Sequence, residues 1–172
     1  MACMSQPLTA KQIARMTRIA FDACRDTVRD LAGRGCLVCL NPGARRSRLY
    51  WTTPLGDACR SRFCKAAAGQ PQGHPVPQVD WNLYGSVCFS HRSVVIMTLA
   101  EPMQSAAVKR KARARDPTLR MSANNVRGVM QFLAAHGVVR PVRLGKKAHV
   151  RYELTDTGRE IQKLLWRAEV FA

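Results

Sequence analysis

The distribution of apolar residues predicts a helix between residues 121 and 137. Apolar side chains recur there at helical spacing and form one face: Val126, Val129, Met130 and Leu133. Ser122 precedes this face, and because its hydroxyl can accept a hydrogen bond from a first-turn amide, we predict that the helix begins there. Gly137 follows the face and is predicted to end the helix, since helices commonly end on a residue in the left-handed conformation.

Short apolar runs follow this helix and predict a β-hairpin. We expect strands at Val138–Val142 and Ala148–Leu154, joined by a basic turn at residues 144–147. Thr155 or Asp156 is then placed to cap a closing helix. The predicted order is therefore helix, hairpin, helix.

The same pattern occurs about a hundred residues earlier in the chain. The two segments align without a gap and match at these pairs: Arg25 with Arg127, Leu31 with Leu133, Ala32 with Ala134, Gly35 with Gly137, Gly43 with Gly145, Tyr50 with Tyr152, Thr53 with Thr155 and Gly56 with Gly158. An internal repeat of this kind implies two copies of one structural unit. With only two copies, we predict a tandem pair of domains and not a solenoid.

The repeated segment resembles the winged helix-turn-helix domain of bacterial and archaeal regulators of the MarR, ArsR and PadR type. The resemblance rests on residues 125–127, Leu133, residues 137–139 and residues 152–158. It implies a helix laid in the DNA major groove and a hairpin wing on the backbone or minor groove. The predicted fold class is mainly α with small β wings (α+β), as two winged helix-turn-helix domains in tandem.

The repeat and the composition predict three parts of the chain. Residues 1–68 form winged-helix domain 1, residues 69–80 form a linker rich in proline, glycine and glutamine, and residues 81–172 form winged-helix domain 2 with its C-terminal helix. Domain 2 should open with Trp81 and continue with a helix from about Ser90 to Ala100. The next helix should be capped by Gln104 or Ser105 and should end before Asp116–Pro117.

Domain 1 is predicted to begin with a helix capped by Thr9 that faces inward through Ile13, Ala14 and Thr17. Asp22 should cap a second helix that runs to about Arg34, with Cys24, Val28 and Leu31 inside. The wing should span residues 37–51 and the closing helix residues 54–68. The helix that usually precedes a helix-turn-helix is missing from this domain. It is either borrowed from elsewhere in the chain or from a partner, or absent.

The net charge changes the functional expectation most. A formal charge of +17 and an isoelectric point near 10.7 favour a polyanionic partner. Nucleic acid is the first candidate and an anionic membrane surface is the second. Since no apolar run approaches the roughly 20 residues of a membrane span and the N-terminus lacks a signal-peptide core, we expect a cytoplasmic, nucleoid-associated protein with no membrane partner.

Candidate DNA contacts follow from the resemblance and from the basic residues. The recognition helices carry Arg25, Arg29, Asn124, Asn125, Arg127 and Gln131. The wings carry Arg45, Arg46, Arg48, Lys146, Lys147 and His149. Backbone contacts are expected from Lys11, Lys109, Arg110, Lys111, Arg113, Arg115 and Arg120. Arginine pairs with guanine and asparagine or glutamine with adenine, and Gly128 would let a helix approach DNA closely.

Plainer interpretations compete with these contacts. Each basic face can be an ordinary solvated surface, since exposed lysine and arginine are common on helices and loops. Asp22, Asp26 and Asp30 bring negative charge to the recognition helix of domain 1. They weaken the case for phosphate contact there.

The cysteines and histidines offer little chemistry. Cys36 and Cys39, followed by Cys59 and Cys64, have a spacing that could suggest zinc. However, their counterparts in the repeat are apolar, and free cysteine behaves as a small hydrophobic residue. No nucleophile motif, phosphate loop or carboxylate pair is evident, so we predict no enzyme activity, no metal and no cofactor.

The sequence therefore predicts a double-stranded DNA-binding protein, with a sequence-specific transcriptional regulator as the first role. A replication, partition or packaging protein with little sequence preference is one alternative. An adaptor of the transcription machinery is another, because winged helices also dock proteins. A homodimer, formed through the C-terminal helix or a swapped helix, is a further expectation.

Overall fold

Helices and two small antiparallel sheets make up the computed structural model, which describes residues 6–63, 79–143 and 149–170. The described chain divides into two compact units. Unit 1 contains residues 6–63, 79–86 and 168–170, and unit 2 contains residues 87–143 and 149–167. A mainly helical α+β fold was predicted, and it is confirmed at that level.

Unit 1 is built from short elements around a three-stranded sheet. In chain order they are β1 (Leu8–Thr9), α1 (Ala10–Thr17), α2 (Phe21–Gly33), β2 (Leu37–Cys39), β3 (Leu49–Thr52), α3 (Pro54–Phe63) and the first six residues of α4 (Trp81–Val87). The strand order is β1-β3-β2. Thr9 caps α1 as predicted, since its backbone amide and side chain both bond Gln12 in a capping box.

Two details of unit 1 differ from the prediction. The N-cap of α2 is Ala20, which makes no side-chain capping bond, and Asp22 lies inside the first turn. An aspartate there still favours the helix through its dipole. Thr17 is exposed instead of facing inward. The predicted end of α3, residues 64–68, lies outside the described residues, as does most of the predicted linker.

The boundary between the units also differs from the predicted one. Residues 81–86 were assigned to domain 2, but they belong to unit 1. Gly85 lies so close to the hairpin turn of unit 1 that a Cβ atom there would overlap the side-chain amide of Asn41 and press on the carbonyl oxygen of Ser47. The pattern of apolar residues cannot reveal this contact, because the contact depends on the absence of a side chain at Gly85.

Unit 2 contains a longer series of helices and one hairpin. Its elements are α5 (Ser90–Thr98), α6 (Ser105–Arg115), α7 (Ala123–Ala135), β4 (Val139–Val142), β5 (Arg151–Leu154) and the part of α8 (Asp156–Val170) up to residue 167. Ser122 caps α7 by accepting a 3.1 Å hydrogen bond from the Asn125 amide, as predicted. Gln104 is the N-cap of α6 but makes no side-chain bond.

The repeat is visible in the backbone geometry that follows α2 and α7. Gly35 and Gly137 both have positive φ angles, of 75° and 66°. Thr53 donates its hydroxyl hydrogen to the Gly35 carbonyl at 2.6 Å, and Thr155 bonds the Gly137 carbonyl at the same distance. The helix end is therefore tied to the hairpin exit by the same bond in both units.

A second glycine repeats at the start of α3 and α8. A Cβ atom on Gly56 would overlap the Cys36 carbonyl oxygen, and one on Gly158 would overlap the Val138 carbonyl oxygen. The register of the two hairpins also repeats, since Leu37 pairs with Thr52 and the residues 102 positions later, Val139 and Leu154, pair likewise. The predicted repeat is thus confirmed from helix to hairpin to helix.

The repeat extends further toward the N-terminus than the sequence revealed. In unit 1, Leu8 of β1 pairs with Tyr50, and in unit 2 Met103 makes an isolated bridge to Tyr152. The bridge consists of two backbone hydrogen bonds, of 2.9 and 2.8 Å. The offset here is 95 residues and not 102, because α6 is longer than α1 and the connection between α6 and α7 is also longer than that between α1 and α2.

The cores of the two units differ in how completely they are closed. Leu133 and Val108 are fully buried in unit 2, while their counterparts Leu31 and Ile13 are only partly buried. In unit 2, α5 packs against both α6 and α7. Among the described helices of unit 1, none packs to that extent on both α1 and α2. This difference corresponds to the helix that the sequence predicts to be missing from domain 1.

Candidate nucleic-acid interface

The outer face of α7 carries a group of exposed polar residues. Asn124, Arg127, Gly128 and Gln131 follow one another at helical spacing, opposite the buried Val126, Met130 and Leu133. The Arg127 guanidinium lies 3.5 Å from the Asn124 side-chain oxygen, so the two share this face. A Cβ atom on Gly128 would meet nothing within 4 Å. The face can therefore present donors and acceptors to base edges without obstruction.

Asn125 lies beside this face. Each helical residue is rotated by about 100° from the one before, so Asn125 points away from the direction shared by Arg127 and Gln131. Its backbone amide is used in the cap with Ser122, and its side chain is exposed. The structure thus separates Asn125 from the other predicted recognition residues of unit 2.

The basic residues of α6 divide between two sides of the helix. Lys109, Arg110 and Arg113 lie on one side, with Lys109 partly buried and the arginines exposed. Lys111 and Arg115 lie on the other. The sequence predicted one continuous basic run, and helical geometry separates it.

The second group of α6 residues already has partners within unit 2. The Lys111 ammonium is 3.4 Å from a Glu101 carboxylate oxygen. The Arg115 guanidinium lies over the Trp166 ring, 4.1 Å from its centroid. Arg115 is therefore engaged in a cation–π contact, which favours a structural role for it.

The repeat indicates the direction in which Lys109 and Arg110, on the first side of α6, point. In unit 1, Ala14 and Arg15 of α1 line a cleft together with Phe21, the first residue of α2. The counterparts of Ala14 and Arg15 at the 95-residue offset are Lys109 and Arg110. We therefore expect these two cations to lie toward the beginning of α7, where the helix dipole adds further positive potential.

Charge distinguishes the paired helices of the two units. Helices α6 and α7 together contain six lysines and arginines and no acidic residue, whereas α1 and α2 contain four such cations and three aspartates. Arg25 lies 3.1 Å from Asp22 and 3.3 Å from Asp26. Its guanidinium is thus held by carboxylates, while its counterpart Arg127 has no acidic residue on its helix.

The remaining candidates in unit 1 are exposed. Arg29 lies on the outer side of α2 and Lys11 on α1. The wing arginines Arg45, Arg46 and Arg48 are also exposed, and Arg48 donates to the Ala44 carbonyl at 3.0 Å. All of these cations lie on the surface of unit 1.

Only part of the second wing lies within the described residues. Lys146 and Lys147 lie outside the described residues. His149 is exposed. Arg120 is exposed in the connection before α7, and its carbonyl oxygen lies 3.0 Å from the His91 ring nitrogen Nε2.

Asn41 has a positioning role in the first wing that the sequence did not reveal. It is 1 % exposed, accepts a 2.7 Å hydrogen bond from the Leu49 amide and donates to the Ser47 carbonyl. These bonds brace the loop that carries Arg45 and Arg46. The turn signal Asn41–Pro42–Gly43 was correctly assigned, with an Ala44 amide to Asn41 carbonyl bond of 3.0 Å, but the burial of the side chain was not foreseen.

Another cluster missed from the sequence surrounds Arg92 in unit 2. The Arg92 guanidinium lies 3.6 Å from the centroid of Phe132 and 5.5 Å from that of Phe89. Burial lowers the pKa of Arg92 from its ordinary value. The contact joins α5 to the back of α7 and so helps to hold that helix in place. In the sequence, a lone arginine in the first turn of an apolar helix gives no sign of such stacking.

The environments of Cys24 and Cys36 favour neutral thiols. Burial raises the pKa of Cys24, and burial together with the neighbouring Cys59 raises the pKa of Cys36. A raised pKa disfavours the thiolate, which is the form that binds metal or senses oxidants. Within the described ranges, no three histidine, cysteine or acidic side chains come together as metal ligands, and Cys64 lies outside those ranges.

Comparisons with known proteins do not assign the chain to a group. No protein family, curated protein or solved structure matches it. Among the helices of the described segments, none has both the length and the apolar character needed to cross a bilayer.

Proposed function

We propose that the protein binds double-stranded DNA through a tandem pair of winged helix-turn-helix domains and acts as a sequence-specific transcriptional regulator. The observation that carries the proposal is the α6–α7 surface of unit 2. It combines the exposed face of Asn124, Arg127 and Gln131 with three further cations, Lys109, Arg110 and Arg113, on two helices that contain no acidic residue. A polyanion with readable base edges matches both properties.

Each residue of this surface has a distinct role in the proposal. Arg127 pairs with a guanine, and Asn124 and Gln131 pair with adenines in the major groove. Gly128 allows α7 to approach the bases closely. Lys109, Arg110 and Arg113 neutralise phosphates, which sets the register of α7 but carries no sequence information.

Unit 1 contributes mainly backbone contacts in this proposal. To reach a base, Arg25 would have to give up Asp22 and Asp26, and those carboxylates would then face phosphates. The exposed wing arginines, with Lys11 and Arg29, are better placed to add affinity than specificity. The assignment of base recognition to α7, and not to both helices equally, follows from this difference in charge.

Selection from a random pool of duplex DNA at two salt concentrations tests the proposal. A sequence-specific regulator should enrich a motif that persists at the higher salt, with specific binding at least about a thousandfold tighter than non-specific binding. Tight binding without a motif that collapses with salt would indicate a packaging, replication or partition protein instead. Absence of binding at physiological salt would refute DNA binding.

A further inference from the structure

The α1–α2 side of unit 1 carries an apolar cleft whose counterpart in unit 2 is differently built. The cleft has a volume of about 490 Å³ and is lined by Lys11, Ala14, Arg15, Ile19 and Phe21. Ile19 is 51 % exposed and Phe21 49 % exposed. Two large apolar side chains next to each other on one cleft are more than the scattered exposure that is normal for a surface.

The repeat shows that this exposure is particular to unit 1. Met121, the counterpart of Ile19, is only 5 % exposed, and Ala123 stands where unit 1 has Phe21. The apolar side chain of Ile19 before α2 is thus exposed to solvent, whereas its counterpart Met121 before α7 is buried. Nothing in the shared fold requires an aromatic ring at the first residue of α2.

The rim of the cleft is basic. Arg15 and Lys11 line the cleft and are exposed, and the exposed Arg18 directly precedes Ile19 in the chain. An apolar floor beside cations matches an amphipathic helix whose apolar face is flanked by acidic residues. A second copy of this chain matches less well, since its charge of +17 would repel it.

We propose that this cleft docks an acidic amphipathic helix of another protein. The apolar face of that helix would cover Ile19 and Phe21, and its carboxylates would pair with Arg15. Unit 1 would then recruit a partner while unit 2 holds DNA. The docking site does not depend on base recognition, because the recognition residues lie on α7 and the cleft lies on α1 and the start of α2.

A synthetic probe can test the docking site on the full chain. The probe is a fluorescent, helix-stapled peptide of about 15 residues, with leucines at positions i, i+3, i+4 and i+7 and glutamates on both flanks. Its control has lysines in place of the glutamates. The glutamate peptide should bind the chain, measured by fluorescence anisotropy, and the lysine peptide should bind at least about tenfold more weakly.

Variants of the chain locate the binding. The double variant Ile19→Ser with Phe21→Ser should weaken binding of the glutamate peptide at least about tenfold, as should Arg15→Glu. Leu55→Ser is the matched control, since Leu55 is an equally exposed apolar residue of unit 1, at 53 %. It should leave binding unchanged. Circular dichroism should show that all variants fold, because each altered side chain is exposed.

Several outcomes would overturn the proposal. Equal binding of both peptides, no binding at about 1 mM, or binding that survives the double variant would each exclude the cleft as a site for an acidic helix. Self-association that the double variant abolishes would show that the occupant is a second copy. If the double variant instead reduces DNA binding, the cleft belongs to the DNA interface. Arg127→Ala should leave peptide binding intact, which separates this inference from the proposed function.

Discussion

Arg25 and Arg127 occupy equivalent positions of the repeat but have different neighbours. Two aspartates hold Arg25, whereas Arg127 lies beside Asn124 on a helix without acidic residues. We predict that Arg127→Ala relaxes base preference at one position and costs roughly 1–3 kcal/mol of specific binding. Arg25→Ala should leave base preference unchanged. Competition titrations with single-base variants of the selected duplex measure both, and equal effects would mean that both helices read bases.

A single glycine supports the hairpin in each unit. A Cβ atom on Gly158 would overlap the Val138 carbonyl oxygen, which can move only if the strand moves. Gly158→Ala should therefore lower the free energy of unfolding by roughly 2 kcal/mol or more. Gly43→Ala, at a position with nothing within 4 Å, should change it by less than about 0.5 kcal/mol. Urea unfolding measures both values, and an unperturbed Gly158→Ala protein would contradict the shared backbone geometry.

On the scale of elements, α6 separates the cations that we propose to contact DNA from the cations that already have partners within the fold. Lys109→Ala with Arg110→Ala should weaken binding to all duplexes alike and flatten the salt dependence, by about 0.9 in log–log slope for each phosphate that is no longer neutralised. Lys111→Ala should change the slope less, since Lys111 pairs with Glu101. Titrations at several salt concentrations measure these slopes. Equal slopes for both variants would refute the division of α6.

Gly128 offers a test in which stability and binding change in opposite directions. Glycine is unfavourable inside a helix, and a Cβ atom at this position meets no other atom of the protein within 4 Å. Gly128→Ala should therefore stabilise the fold by up to about 1 kcal/mol. If α7 approaches DNA closely there, the same change should weaken specific binding. A gain in stability without any loss of affinity would place DNA elsewhere.

Local patterns were sufficient to predict most elements of this chain. The caps at Thr9 and Ser122 and the stop at Gly137 depend on neighbouring residues only, and the structure confirms them. The repeat was also predictable, because its glycines and threonines must keep their spacing for the same backbone bonds to form. The DNA-facing role of these elements stays a prediction.

What could not be predicted depends on contacts between distant segments. The bridge of Met103 to Tyr152 joins residues far apart in sequence and involves only backbone atoms. The cation–π contact of Arg115 with Trp166 removes one cation from a run that looked uniform. Likewise, the assignment of residues 81–86 to unit 1 reflects the packing of Gly85 on the first hairpin. Neither composition nor spacing encodes such pairings directly.

On the scale of the whole molecule, the two units have diverged in surface while keeping the same internal bonds. Unit 2 presents an acid-free basic surface on α6 and α7, and unit 1 presents a mixed-charge helix and an apolar cleft. Under the two proposals, one copy of the repeated unit recognises DNA, and the other adds affinity and recruits a partner. The asymmetry between the two copies, more than the net charge, therefore determines how the proposed functions are divided between them.

The most direct test of that asymmetry is a map of amide chemical-shift changes when the full chain binds a duplex from the selected pool. We predict changes centred on Asn124, Arg127, Gly128 and Gln131 and on the Lys109 side of α6, with weaker changes at the wing of unit 1 and little at Ile19 and Phe21. Changes centred on α2, or no changes at physiological salt, would contradict the proposed assignment of DNA recognition to α7.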